Sequence, residues 1–106
     1  MRIEVRCIEH LSSEQRQSLS LLYRPLIGKS SVCLYEFLSA IQNQIELEDL
    51  YLMLSMNEAQ LDRARNHLEQ YHLIETYIHE EEMLIFLYAP LMPNKFLCHD
   101  TYSRLY

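Results

Sequence analysis

Five histidines, three cysteines and a run of three glutamates are the residues here with the chemistry for a metal centre or an acid–base pair. His10, His67, His72, His79 and His99 show no paired spacing of the His-Glu-x-x-His kind. His67 and His72 lie five apart across an expected helix end, where no shared face follows. Cys7, Cys33 and Cys98 are odd in number and far apart, which fits neither a disulfide framework nor a zinc spacing. Cys98 and His99 are adjacent but have no further ligand nearby. Glu80, Glu81 and Glu82 are consecutive, so their side chains diverge, and they read as a solvated turn. A phosphate-cradling loop needs clustered glycines, and the chain has one; a Gly-x-Ser-x-Gly nucleophile motif is absent. No catalytic residue, metal ligand or cofactor site is expected, and the chain does not read as an enzyme.

The scaffold for these residues is bounded by composition. At 106 residues the chain is long enough for one domain with its own core. Its 49% hydrophobic and 23% charged residues are ordinary for a globular protein. A single glycine and three prolines favour helices with short joints. No run approaches the ~18 apolar residues of a membrane span. The opening "MRIEVRCIEH" alternates instead of forming the apolar stretch of a signal peptide, so a cytoplasmic protein without direct membrane insertion is expected. Nine basic and fifteen acidic residues leave a formal charge of −6, which repels nucleic acid at long range.

Along the chain, Ile3, Val5 and Cys7 alternate with Glu4 and Arg6, a half-buried strand pattern. Ser12 and Gln15 have the spacing of a capping box. Leu19, Leu22, Tyr23 and Leu26 then recur at helical spacing, and Pro25 among them predicts a break or kink near Tyr23–Arg24. Residues 30–41, apolar nearly all round, predict a buried central helix, and residues 42–46 a loop. Leu47, Leu50, Tyr51 and Leu54 form one helical stripe. After a short joint, Asn57 and Gln60 predict a second capping box, opening a helix that buries Leu61, Ala64, Leu68 and Tyr71. In the hairpin that follows, Ile74, Thr76 and Ile78 face one way and Glu75, Tyr77 and His79 the other. The return strand, residues 83–89, is apolar on both faces. Pro93 suits the first turn of a short helix holding Phe96 and Leu97, and Asp100 a cap for a last segment that stops while still amphipathic. The expected fold class is α+β and mostly helical: a winged helix-turn-helix with an N-terminal strand and a two-stranded wing, spanning residues 1–106 as one domain, with the abrupt end suggesting the N-terminal part of a longer protein.

A winged helix invites a DNA-binding reading, with the second helix in the major groove and the wing on phosphates. The residues not needed for burial on that helix include Glu58, Asp62, Glu69, Arg63 and Arg65, and the wing tip adds three acids. Acids facing phosphate oppose the contacts that supply most of such affinity. Arg63 and Arg65 are the residues able to make weak DNA contacts.

Three blocks carry a further signal: Tyr23 with Pro25-Leu26-Ile27-Gly28 and the following "LYEFL", then "ARNHLEQYHLIETY", then "YAPLMPNKFLCHDTY". In this order they resemble the N-terminal domain of the DnaB/DnaD replication initiation proteins of low-GC Gram-positive bacteria. The resemblance implies a winged-helix domain used for self-association and partner docking, in proteins that help load the replicative helicase at origins and restart sites, with DNA contacts in a separate C-terminal region. It implies no catalytic residue. The chain departs from the family pattern in its short N-terminal lead and at residues 42–46, either of which bears on the oligomeric form.

The expected role is therefore a non-catalytic oligomerisation and protein-interaction module. Its expected partners are copies of itself (a dimer or tetramer) and other primosome or helicase-loading proteins, with any membrane or nucleoid association coming through the full-length protein. The alternatives are a winged-helix transcription regulator, or a monomeric docking module for a primosome partner. Candidate self-association residues are Ile3, Val5 and Cys7 on the first strand, and Leu97, Tyr102, Leu105 and Tyr106 in the terminal segment; the two-faced strand is a further candidate surface. Pairing of the first strand with the wing inside one chain is the competing use of that strand, and it leaves one sheet edge free.

Overall fold

In the computed structural model, which describes residues 1–7, 11–41 and 43–90, the alternating N-terminal residues form β1 (Arg2–Cys7). This strand enters a four-stranded sheet of order β2-β1-β4-β3, where β2 is Gln44–Glu46 and the wing is β3 (Ile74–His79) and β4 (Glu82–Leu87). β1 runs antiparallel to β2, with Ile3 opposite Ile45. It runs parallel to β4, with Ile3, Val5 and Cys7 opposite Met83, Ile85 and Leu87. β3 returns antiparallel, placing Thr76 opposite Ile85 and Ile78 opposite Met83. Because side chains alternate across a strand, these registers gather Ile3, Val5, Ile45, Ile74, Ile85 and Leu87 on one face, where the helices cover them.

The predicted pairing of the first strand with the wing is present, and the predicted loop at 42–46 is corrected. A strand of three residues flanked by polar Gln44 and Glu46 is too short to show alternation. Tertiary contact makes it a strand: Val5 N–H donates to Asn43 O at 2.8 Å and Leu47 N–H to Met1 O at 2.9 Å, closing both ends of the β1–β2 pair.

The helical layer starts at α1 (Ser13–Ser18), opened by the Ser12–Gln15 capping box. Pro25 does not break it. The helix widens into a π-helical segment, Leu19–Tyr23, and continues as α2 (Arg24–Ile27), with the Arg24 N–H reaching back to Leu19 O. Such a widened turn accommodates the missing proline N–H and the ring's bulk. The stop comes at Gly28, whose φ of 87° and ψ of 163° lie in a region open essentially to glycine alone.

α3 (Lys29–Ile41) buries Ser31, Val32, Leu34, Tyr35 and Leu38. It is central but not enclosed all round, since Cys33, Glu36 and Ala40 form an exposed face. Two polar bonds fix its position. Ser31 Oγ donates to Ala64 O of α5 at 3.3 Å, and Tyr35 Oη to Tyr88 O beyond β4 at 2.7 Å. α4 (Leu47–Leu54) and α5 (Glu58–Gln70) complete the helix-turn-helix. The core is a single cluster joining β1, the helices and the wing. The predicted short helix after Pro93 and the segment after Asp100 lie outside the described residues.

Fully buried Leu68 sits where α5 meets this core, so Leu68→Ala is expected to lower unfolding stability by about 2–5 kcal/mol in chemical denaturation. At Gly28 a Cβ would meet nothing within 4 Å. Gly28→Ala is nevertheless expected to lose about 1–3 kcal/mol from backbone strain alone, whereas Leu21→Ser on the exposed surface should change stability by less than about 0.5 kcal/mol.

Candidate protein-interaction surfaces

The geometry of the helix-turn-helix follows from its caps. Ser55 ends α4 in the left-handed region, at φ 54°. Asn57 then opens α5: its Oδ1 accepts from Gln60 N–H at 2.8 Å while Gln60 Oε1 accepts from Asn57 N–H at 2.9 Å. With Leu61, Ala64 and Leu68 turned inward and Tyr71 half-buried, α5 exposes Glu58, Asp62, Arg63, Asn66 and Gln70.

The two arginines differ in availability. Arg65 is half-buried and held by acids on its own helix, with Nη1 2.9 Å from Glu69 Oε1 and Nη2 3.8 Å from Asp62 Oδ1. Arg63 is exposed and lines, with Lys29, Gln60 and His67, a shallow cavity of about 280 Å³ beside Gly28. His67 Nδ1 lies 3.2 Å from Ile27 O in the same region. The wing closes through a turn at Glu80, which adopts φ 55°, and Glu80, Glu81 and Glu82 are all exposed. The surface that would face a duplex thus presents acids at the start of α5 and at the wing tip.

Its electrostatic effect is visible on Tyr51 of α4. Partial burial, and then the charges of Glu58, Asp62 and Glu48, hold its phenol above the usual tyrosine pKa of 10.0. On the wing, Tyr77 Oη donates to Glu75 Oε2 at 2.7 Å, a bond that also raises the Tyr77 phenol.

The first strand has no vacant flank along Arg2–Glu4, because β2 pairs one side and β4 the other. Ile3 and Val5, 1% and 3% exposed, point into this chain's own core, and Cys7 is half-buried at the strand's end. Neither Ile3 nor Val5 therefore lies on the surface. Leu97, Tyr102, Leu105 and Tyr106 lie outside the described residues.

The outer strand β3 is the longer sheet edge, and among the described residues no strand pairs with its far side. Tyr77 and Ile78 on it are 55% and 59% exposed. The two-faced β4 is explained by a second, outward face on which Leu84 and Phe86 are half-buried and the Phe86 ring meets Tyr77 edge-on at 5.8 Å. That outward face was signalled by the unbroken apolar run of the return strand. Among the described residues no group of three or more His, Cys, Asp or Glu is placed to hold a metal ion, and no helix is long and apolar enough to cross a membrane.

The sheet of this winged helix-turn-helix takes in an N-terminal strand, and residues 5–106 match the DnaB N-terminal winged helix domain family. The chain belongs to that family. Its fold is also that of primosome protein DnaB (residues 1–300) from Geobacillus stearothermophilus, a crystal structure with a TM-score of 0.89 and 26% sequence identity. The match covers 98% of this chain and 44% of that one, so the chain spans less than half of the length of that relative. No curated protein matches the chain. The family is a winged-helix domain described as the N-terminal domain of DnaB. In this DnaB-type domain the Pro-Leu-Ile-Gly block is architectural: Pro25 sits in the first turn of α2, and Gly28 makes the reversal into α3.

A raised folded-state pKa favours the protonated phenol. Any stability that Tyr51 derives from this is present below the unfolded-state pKa and lost as pH rises through the folded one. In an ultraviolet titration, with Tyr51→Phe identifying its contribution, Tyr51 should ionise above 10.0. Glu58→Gln is expected to move that midpoint back down; an unchanged midpoint would remove Glu58 from the local field.

Proposed function

We propose that this domain is a non-catalytic self-association and protein-interaction module of a DNA replication initiation or restart protein, one that assists loading of the replicative helicase. The observation that carries this reading is the acidic surface on the helix-turn-helix and wing of a primosome-family fold. Five acids, Glu58, Asp62, Glu80, Glu81 and Glu82, occupy the positions that would approach phosphate, while Arg65 is neutralised by Asp62 and Glu69. Such a surface suits protein partners better than a duplex.

Self-association is assigned to the outer edge of β3, which no strand pairs among the described residues. Tyr88 N–H donates to Leu73 O at 2.8 Å. In the alternating antiparallel ladder that follows, Glu75, Tyr77 and His79 bond to β4, while Ile74, Thr76 and Ile78 turn their backbone groups outward. A six-residue edge with exposed Tyr77 and Ile78 and no proline is a template for strand pairing. Two copies related by a two-fold axis can join there to make one continuous sheet. The terminal residues Leu97, Tyr102, Leu105 and Tyr106 are proposed to add apolar area to that assembly.

Sedimentation equilibrium at micromolar concentrations should give a dimer or tetramer. Ile78→Pro removes an outward donor and no bond to β4, so it is expected to yield a folded monomer. Charge at Val5 tests the core and not the assembly, and should unfold the domain. A wild-type domain that is monomeric throughout, or an Ile78→Pro variant that assembles unchanged, would contradict the edge-pairing proposal.

A further inference from the structure

Between the inner face of the sheet and the helix-turn-helix lies a cavity of about 280 Å³. Its floor is the core itself, with Ile3, Leu38, Leu50 and Ile85 among its lining residues. Its walls come from α4 and from the wing, where Ile78 and half-buried Met83 remain accessible. A cavity of this size falls just below the usual range for small-molecule pockets and suits a single bulky apolar side chain.

The rim is polar and mostly of one sign. Exposed Glu58 and Asp62 stand one turn apart on α5 at the opening. Arg65 also reaches it, but its guanidinium is already engaged by Asp62 and Glu69. Glu48 adds to the negative field felt by Tyr51, which lines the same cavity. Glu58, and Asp62 held only at 3.8 Å by Arg65, leave acidic charge at the rim of an apolar hole. The complementary occupant carries an apolar anchor and positive charge together.

We propose that this cavity is a docking site for a segment of another protein in which a large aromatic or aliphatic side chain fills the hole and a lysine or arginine, within one helical turn of it, pairs with Glu58 and Asp62. A buried anchor with a charged rim is the usual division between affinity and specificity at such sites. The site uses the inner face of the sheet and not the β3 backbone edge, so it does not depend on self-association.

The test uses three fluorescein-labelled peptides of one length: one with the pattern Lys-x-x-Phe-x-x-Lys, one with both lysines replaced by glutamate, and one with the phenylalanine replaced by alanine. Anisotropy should show binding of the first peptide, weakened at least tenfold in the other two and weakened further by salt. In a methyl-labelled domain, the Met83 and Ile78 signals should shift while those of Leu84, on the opposite sheet face, stay in place. Glu58→Lys combined with Asp62→Lys should lose the basic peptide and gain the acidic one, with the circular dichroism spectrum and sedimentation unchanged. That reversal separates charge recognition from a structural lesion. Equal binding of the acidic and basic peptides would overturn the proposal. So would shifts confined to Leu84, or a Met83 signal that shifts with protein concentration alone, which would make a second copy of this chain the occupant.

Discussion

The fold depends on β1 being held between two strands. A wing alone is a two-stranded hairpin, marginal in water, and here its inner strand β4 gains a parallel neighbour that brings Ile3 and Val5 onto the helices. β2 then closes the other flank of β1. Parallel pairing needs a crossover, and here the whole helical layer from α1 to α5 is that crossover. The N-terminus is thus tied to the end of the chain's wing, and the helix-turn-helix is fixed against a four-stranded sheet instead of a flexible hairpin.

Much of this was legible in the residues because local chemistry and tertiary structure agree. Ser12–Gln15 and Asn57–Gln60 announce helix starts, and both capping boxes form. The stripe of Leu61, Ala64 and Leu68 is the buried stripe of α5. The alternation of Ile74 with Glu75 and Thr76 with Tyr77 gives the wing its faces. Where the reading failed, a non-local contact or a backbone response that residue type does not specify decided the outcome. Gln44–Glu46 is a strand because β1 lies beside it, and its own composition carries no period. Pro25 leaves the helix running because the chain can widen into a π-helical turn, a response that proline alone does not specify. α3 is apolar nearly all round, yet one of its faces is open, and composition could not distinguish which.

The candidate surfaces were less legible than the fold for the same reason. Ile3 and Val5 looked available because an alternating strand has an apolar face, and sequence does not say what covers it. The acids were read correctly as a surface feature, since charged residues rarely lie buried without partners. On the proposed reading, they leave a winged helix whose recognition face is unfavourable to the ligand that the motif is best known for. Arg63, beside Lys29 and His67, is the local exception, and it is outnumbered.

The most direct test of that central claim is fluorescence anisotropy of a labelled DNA duplex titrated with this domain at low salt, repeated as salt is raised. The account predicts no saturable binding, because the acids of α5 and the wing tip face the phosphates and release few counterions. Saturable binding whose affinity falls steeply with salt, by a slope corresponding to several neutralised phosphates and abolished by Arg63→Glu, would contradict it and make this face a nucleic-acid interface.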